Sequence, residues 1–264
     1  MSGRRADIEL VRRGFFPSRE QARAAILAGE VKADGHPVAK AGETLSSDSV
    51  IECAERPRYV SRGGSKLAGA LDAFDFDVNG MRALDVGAST GGFTDCLLQH
   101  GAASVVALDV GYGQLAWSLR TDPRVTVVER TNIRAADPTA LGAPFDLVVV
   151  DVAFIGFTAV LPYLLAMAGD AGQVIGLVKP QFEAGKGRVG KKGVVRDPAV
   201  HVSVLDAVVH AVEDAGWVPR GMTFSPLKGP EGNIEFWVWL AATGEPTSTN
   251  AADVVSAAHA SLGG

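Results

Sequence analysis

Apolar residues fall into short unbroken runs through the second part of the chain: Arg82 to Val86, Ser104 to Leu108, Val125 to Val128, Phe145 to Asp151 and Gln173 to Val178. Each run is brief and rich in Val, Leu or Ile, as strands are when a parallel sheet is covered on both faces. Longer segments with helical character alternate with them: Gly91 to Gln99, Ile155 to Met167 and Pro198 to Gly216. Pro162 either kinks the second of these or marks its true start. Asp197-Pro198 is a helix-start signal for the third. Ahead of the first strand, a helix from Ser61 to about Phe74 carries an apolar stripe of Leu67, Ala70, Leu71 and Phe74. Trp217 to Phe224 and Ile234 to Ala241 read as a closing antiparallel pair of strands. Thr243 to Asn250 is polar, and Ala251 to Ser261 suits a short helix in the C-terminal tail, 243–264. The alternation predicts an α/β sheet with helices on both faces.

Residues 1–55 have a different pattern. Asp7 to Arg13 reads as a short helix ended by Gly14, and Ser18 is a good N-cap for a second helix from Arg19 to Ala28. Val31-Lys32-Ala33 before Asp34-Gly35 predicts a strand and a tight turn, and Val50 to Cys53 a last strand. This is a small α+β domain. A linker, 56–60, follows, its Pro57 favouring an extended path.

Charge adds to this picture locally. The 264 residues carry a net charge of −5, so nucleic-acid binding would need basic patches rather than an overall positive charge. Two such patches exist. The first forty residues hold eight Lys/Arg against five Asp/Glu, with Arg4, Arg5, Arg12, Arg13, Arg19 and Arg23 where one face could be basic. The stretch from Lys179 to Arg196 holds six Lys/Arg, among them Lys186, Arg188, Lys191 and Lys192, against one acid, Glu183, with four glycines between. It reads as a mobile phosphate-binding loop. Arg62 joins these residues as a candidate RNA contact. The two cysteines, Cys53 and Cys96, form no C-x-x-C pair and fit a reduced cytoplasmic protein. No apolar run reaches the roughly 18–20 residues that span a bilayer, and the first residues lack a signal-peptide core. No membrane and no metal are expected.

The first of the large-domain strands runs into Asp85-Val86-Gly87-Ala88-Ser89-Thr90-Gly91-Gly92-Phe93. Glycine lets a ligand approach the backbone, and the helix that follows offers free N–H groups. A dinucleotide fingerprint needs G-x-G-x-x-G, but Ser89 occupies its second glycine position. The D-x-G-x-x-x-G-G spacing resembles instead the first motif of S-adenosylmethionine-dependent methyltransferases, which implies a Rossmann-like class I sheet. Asp109, ending the second strand, could bind both ribose hydroxyls, and Thr131 or Asn132 the adenine edge. Asp151 and Lys179 each end a buried strand on the edge of the glycine turn. With Lys66 and Glu235 they could surround one hydroxyl, a set suited to methyl transfer to a ribose 2′-OH. Lys179 is the choice for accepting the proton or steering the oxygen, with Asp151 orienting it and Lys66 and Glu235 fixing the ribose. Asp151 also counts among the cofactor contacts.

Several of these stretches resemble known families. Leu10-Val11-Arg12-Arg13-Gly14-Phe15, Ser18 to Ala22 and Ile26 to Val31 are similar to the RNA-binding module named for ribosomal protein S-four, in which arginines of the first helices contact structured RNA. Ser61 to Leu67, Asp85 to Asp95, Asp109 to Leu115, Asp122 to Val125, Lys179 to Glu183, Gly193 to Asp197 and Ser225 to Phe236 resemble the TlyA family, which joins that module to an FtsJ-like methyltransferase domain. The resemblance covers about residues 3–242. It implies a domain at 61–242 that uses S-adenosylmethionine to methylate the 2′-hydroxyl of cytidine in ribosomal RNA of both subunits. It places the family's Lys-Asp-Lys-Glu set on Lys66, Asp151, Lys179 and Glu235. The linker, Pro57-Arg58-Tyr59-Val60, departs from the Arg-x-Trp-Val form of some members.

Other functions would leave different traces. A membrane-active haemolysin, the name some members carry, would need an amphipathic or spanning segment. A nicotinamide oxidoreductase is disfavoured by Ser89 and the basic loop. An RNA-binding protein without catalysis would leave the four-residue set and the glycine turn unexplained.

Overall fold

The computed structural model describes residues 3–54, 57–185 and 187–263. They divide into two compact units, Met1–Arg56 and Pro57–Gly264.

The small unit contains β1 (Arg4–Arg5), α1 (Ala6–Arg12), α2 (Arg19–Leu27), β2 (Val31–Ala33), β3 (His36–Pro37), β4 (Thr44–Leu45) and β5 (Ile51–Cys53). β2 pairs with β3 and β5, and β1 with β4, all antiparallel. The Ser18 hydroxyl accepts from the Gln21 N–H at 3.3 Å, the cap that the sequence predicts. Leu10, Ala22, Ile26 and Val31 close its core.

The large unit contains α3 (Arg62–Phe74), β6 (Arg82–Val86), α4 (Gly92–Gln99), β7 (Ser104–Leu108), α5 (Trp117–Arg120), β8 (Val125–Val128), α6 (Pro138–Leu141), β9 (Leu147–Val150), α7 (Phe157–Ala168), β10 (Gln173–Val178), α8 (Pro180–Glu183), α9 (Pro198–Asp214), β11 (Val218–Phe224), β12 (Phe236–Ala241) and α10 (Ala251–Leu262). Its sheet runs β11-β12-β10-β9-β6-β7-β8. β6 to β10 are parallel, and β12 enters antiparallel between β10 and β11. Strand residues alternate between two cores. Leu147 and Val149 face the layer of Leu67, Leu71 and Leu97, while Val148 and Val150 face that of Leu164, Leu205 and Val255. Burial on both faces is why these strands read as unbroken apolar runs.

This topology positions the site. Strand order reverses between β6 and β9, so a crevice opens beyond their carboxyl ends, where ligands of such sheets bind. Because β12 is antiparallel, its first residue, Phe236, pairs with Val178, the last of β10. Glu235 thus precedes β12 rather than lying within it, and it reaches the same edge.

Three details correct the sequence reading. Residues 57–60 pack onto the large unit instead of running free: Tyr59 is buried, Val60 N donates to Asp95 at 2.8 Å, and Gln99 donates to Arg58 O at 2.9 Å. A Cβ on Gly64 would overlap the Tyr59 ring, which is why glycine stands there. Pro162 lies inside α7, whose start is fixed instead by Glu183: the carboxylate accepts from Phe157 N–H and from the Thr158 hydroxyl. Finally, the end of the basic stretch is pinned. Val194 and Val195 are buried, and buried Asn233 accepts from Val195 N and donates to Gly193 O, both at 2.9 Å.

Candidate functional site

Gly87 follows β6 with φ +87°, and a Cβ there would overlap the Asp151 carbonyl. Glycine is required because the ends of β6 and β9 touch. Asp151 N donates to Val86 O at 2.9 Å, locking the two ends together. Two cavities share this seam. One, of about 350 Å³, is lined by Gly87, Ala88, Ser89, Thr90, Gly92, Phe93, Asp151 and Lys66, with Ser61, Arg62, Gly63 and Pro230. The other, of about 470 Å³, is bounded by Gly87, Ser89, Asp109, Gln114, Thr131, Asn132, Asp151 and Phe154 and by apolar Val86, Leu108, Ile133, Val152 and Ile155.

The four-residue set resolves into two ion pairs. Lys66 Nζ meets Glu235 Oε2 at 2.5 Å, with Glu235 1% exposed. Lys179 pairs with Asp151 and donates to Val152 O at 3.0 Å. Burial pushes the Glu235 carboxyl above its ordinary pKa, although the Lys66 ammonium pulls the other way. Lys66 is buried where its helix packs over the sheet, and its pairing with Glu235 compensates a cation near a helix N-terminus that would otherwise disfavour it.

Asp109 carries the adjoining turn. One oxygen accepts from Ser89 N at 2.7 Å, the other from Gly111 N at 2.6 Å. A carboxylate has about four acceptor positions, so each oxygen keeps one. Ser89 sits at φ +49° and its hydroxyl reaches Gln114 at 3.3 Å. Thr131 donates its hydroxyl to Glu129 O at 3.1 Å, and the Asn132 side chain accepts from Arg134 N at 3.0 Å.

Two expected cofactor contacts hold the fold instead. Asp85 is fully buried and accepts from Thr94 N at 2.9 Å and from the Thr94 hydroxyl at 2.7 Å, bracing the first turn of α4. Burial raises its carboxyl pKa to about 7. Gly91, at φ +96°, lies against Leu115 and Leu119, where a side chain would collide. Phe93 lines the smaller cavity but packs its ring on Trp237, with centroids 5.5 Å apart.

The arginines of the small unit surround two buried carboxylates. Arg5, Arg19 and Arg23 meet Asp7 at 3.1, 3.0 and 2.9 Å, and Arg12 meets Glu9 at 2.6 Å, each about half exposed. Arg4 is exposed. Arg13 departs from the expected RNA contact: it pairs with Glu9 at 2.9 Å and donates to the carbonyls of Ser46, Ser47 and Ser49, so it ties the chain together. In the large unit Arg62 is exposed and donates to Lys228 O at 2.8 Å, and Arg188 and Lys192 are exposed. Lys186 lies outside the described residues, as does the side chain of Lys191.

Sequence reasoning missed Gln114, Ser61, Pro230 and Phe154 as lining residues. Phe154 had a signal that only the backbone reveals: a non-glycine φ of +66° and a ring 93% exposed.

The sheet order and the glycine crevice define a methyltransferase fold. Residues 59–242 match the FtsJ-like methyltransferase family model and residues 4–51 the S4 domain model. The chain belongs to the TlyA family of FtsJ-like methyltransferases. It is 52% identical over 239 residues, 89% of each chain, to the 16S/23S rRNA (cytidine-2′-O)-methyltransferase TlyA of Mycobacterium tuberculosis. It is 46% identical to YqxC of Bacillus subtilis, named as an rRNA methyltransferase, over 91% of this chain and 86% of that one. A hemolysin-named structure from Streptococcus thermophilus superposes with a TM-score of 0.75 at 41% identity, covering 99% of this chain and 98% of that one. Among the described residues no helix is long and apolar enough to cross a membrane.

Proposed function

We propose that the chain transfers a methyl group from S-adenosylmethionine to the 2′-hydroxyl of cytidine in ribosomal RNA, in small and large subunits alike, in the cytoplasm. The observation that carries this reading is the convergence of two lysine–carboxylate pairs on one crevice beside a glycine turn. The name of the M. tuberculosis relative supports the substrate.

The crevice suits the cofactor. Its two cavities, about 350 and 470 Å³, fall in the range of small-molecule sites. At Gly87 no side chain stands between ligand and backbone. The free acceptor positions of Asp109 fit a ribose diol, and Thr131 and Asn132 line the same cavity for the base. When bound, S-adenosylmethionine supplies an electrophilic methyl group on its sulfonium.

The residues of the chain do the remaining work. Lys179, held by Asp151 and the Val152 carbonyl, steers the ribose oxygen and in its neutral amine form would take up the hydroxyl proton as the new O–C bond forms and the methyl–sulfur bond breaks. The Lys66–Glu235 pair fixes the ribose. A ribose hydroxyl is a weak nucleophile facing a reactive methyl group, so alignment matters more than base strength; holding reactants in line is worth roughly 7–11 kcal/mol. Arg4, Arg5, Arg12, Arg19 and Arg23 of the small unit and Arg62, Arg188 and Lys192 of the large one supply phosphate contacts.

The test is transfer of labelled methyl from S-adenosylmethionine to purified, unmodified ribosomal subunits, with sites mapped by 2′-O-methyl-sensitive primer extension. The expected result is label on a cytidine ribose in each subunit. Protein that binds the cofactor but labels neither subunit would overturn the substrate assignment.

A further inference from the structure

Two sequence stretches singled out above contribute only Pro230 to the lining of the reacting crevice: Gly193 to Asp197, and the segment from Ser225 to the residue before Glu235. The fold brings them together. Asn233, 2% exposed, bonds Val195 N and Gly193 O on one side. On the other, Gly229 N donates to Asn233 O at 2.9 Å and Gly232 N to Gly229 O at 2.9 Å. Between these two braced segments lies a cavity of about 310 Å³.

Its charged lining is Arg196, Lys228, His259 and exposed Glu231. Among the described residues the exposed Arg196 guanidinium makes no hydrogen bond or ion pair. Lys228 spends one donor on Gly263 O at 2.6 Å and keeps two. His259 comes from α10 and faces buried His201, its Nε2 3.0 Å from His201 Nδ1. Two cations with unspent donors in a braced polar hollow, against a single carboxylate, suit an anion.

The hollow backs onto the reacting crevice. Pro230 lines the crevice, while its neighbours Lys228, Glu231 and Gly232 line the hollow. The Lys228 carbonyl receives Arg62, and Gly229 lies so near Glu235 that a Cβ there would come within 2.6 Å of Oε1.

We propose that the hollow is a second anion site, a phosphate subsite in which Arg196 and Lys228, with His259 beside them, hold a backbone phosphate of the RNA strand flanking the target ribose. The proposal rests on the methyltransferase reading above, and it gives α10, outside the matched family model, a part in substrate binding.

The test compares wild type with Arg196→Gln and with Arg196→Gln/Lys228→Gln. RNA binding is measured against salt without cofactor, and methyl transfer is measured separately. Each lost contact should lower the salt slope by about 0.7–0.9. The double variant should raise KM for RNA about tenfold with the affinity for S-adenosylmethionine unchanged. RNA carrying neutral methylphosphonate linkages beside the target should bind wild type more weakly and the double variant no worse than unmodified RNA does. A salt slope and KM equal to wild type would overturn the subsite. So would inorganic phosphate that binds wild type and not the double variant while RNA binding is the same in both, since the hollow would then serve a free anion. Arg196→Gln alone removes an exposed side chain that braces nothing, so its salt slope decides the matter should the double variant fail to fold. Wild type that binds RNA with the expected slopes but transfers no methyl would fell the methyltransferase reading and leave the subsite standing.

Discussion

The small unit and the large unit both bury carboxylates, and they treat them in opposite ways. Asp7 and Glu9 are 0% and 1% exposed, yet hydrogen bonds from Arg12 and Arg13 hold Glu9 down at about 2, and those from Arg5, Arg19 and Arg23 hold Asp7 lower still. Asp85 is just as buried but has only Thr94, and burial carries it up to about 7. Glu235 pairs with Lys66, feels Lys179 as well, and is still raised. Solvent is excluded in each case, but Asp85 and Glu235 lie deeper in the protein than Asp7 and Glu9, and for them desolvation outweighs the groups that favour the charged form. The small unit thus fixes its charges, whereas the large unit raises two buried carboxyls, Glu235 in the pair with Lys66 and Asp85 in the brace of α4.

The largest effect expected from this contrast is at Lys179. Lys179→Ala strips Asp151 of its cation and the crevice of its proton acceptor. Methyl transfer should fall at least about 100-fold, the low end of what one positioned acid–base group contributes. RNA binding, measured on the same preparation, should stay close to wild type. Equal loss of both would make Lys179 a phosphate contact and remove it from the chemistry.

The two units should also respond to pH in opposite directions. Glu9 and Asp7 have folded pKa values below their unfolded ones, so their contribution is full above about pH 4.5 and is lost as pH falls towards about 2. Asp85 is raised from 3.8 to about 7, so below pH 4 it adds no slope. Between about 4 and 7 the unfolded chain gives up its proton first, and stability falls as pH rises. That rise corresponds to about 4 kcal/mol across the window. Amide exchange reads the units separately in one chain. The large unit should weaken from pH 4 to 7 and the small unit should not, and Asp85→Asn should flatten the large unit's slope. Matching slopes in both units would end the distinction.

How much of this was legible in the sequence follows the same division. The apolar runs gave the strands, and strand ends placed Asp151 and Lys179 on the ligand edge. Glu235 reads as a strand residue: the closing strands read as an antiparallel pair, but nothing local reveals that β12 lies in reverse against β10 and that its first residue meets the end of that strand. The pairing of Lys66 with Glu235 spans 169 positions and exists only through that reversal. Asp85 carried the motif's leading position, so it read as a ligand contact; its side chain turns instead into the first turn of α4. The arginines read as an open basic face because Asp7 and Glu9, also on α1, look like ordinary surface acids until the fold buries them. Pro57 makes 57–60 read as a linker, since the partner of the Tyr59 ring, the bare face of α3 at Gly64, is a matter of packing alone.

The smallest expected effect asks whether arginines already paired with a buried carboxylate weigh less in RNA affinity than free ones. Arg188 and Lys192 are exposed and, among the described residues, bonded to no carboxylate, whereas Arg12 and Arg23 already face Glu9 and Asp7. A cation neutralised by its own protein holds less of the counterion exchange that drives RNA binding, so free cations should weigh more. Arg188→Gln/Lys192→Gln should lower the slope of log affinity against log salt by about 1.5, one phosphate contact for each residue at roughly 0.7–0.9. Arg12→Gln/Arg23→Gln should lower it by less. If the two double variants lose the same slope, the carboxylates beneath the arginines do not temper them towards RNA, and the small unit's buried acids serve its folding alone.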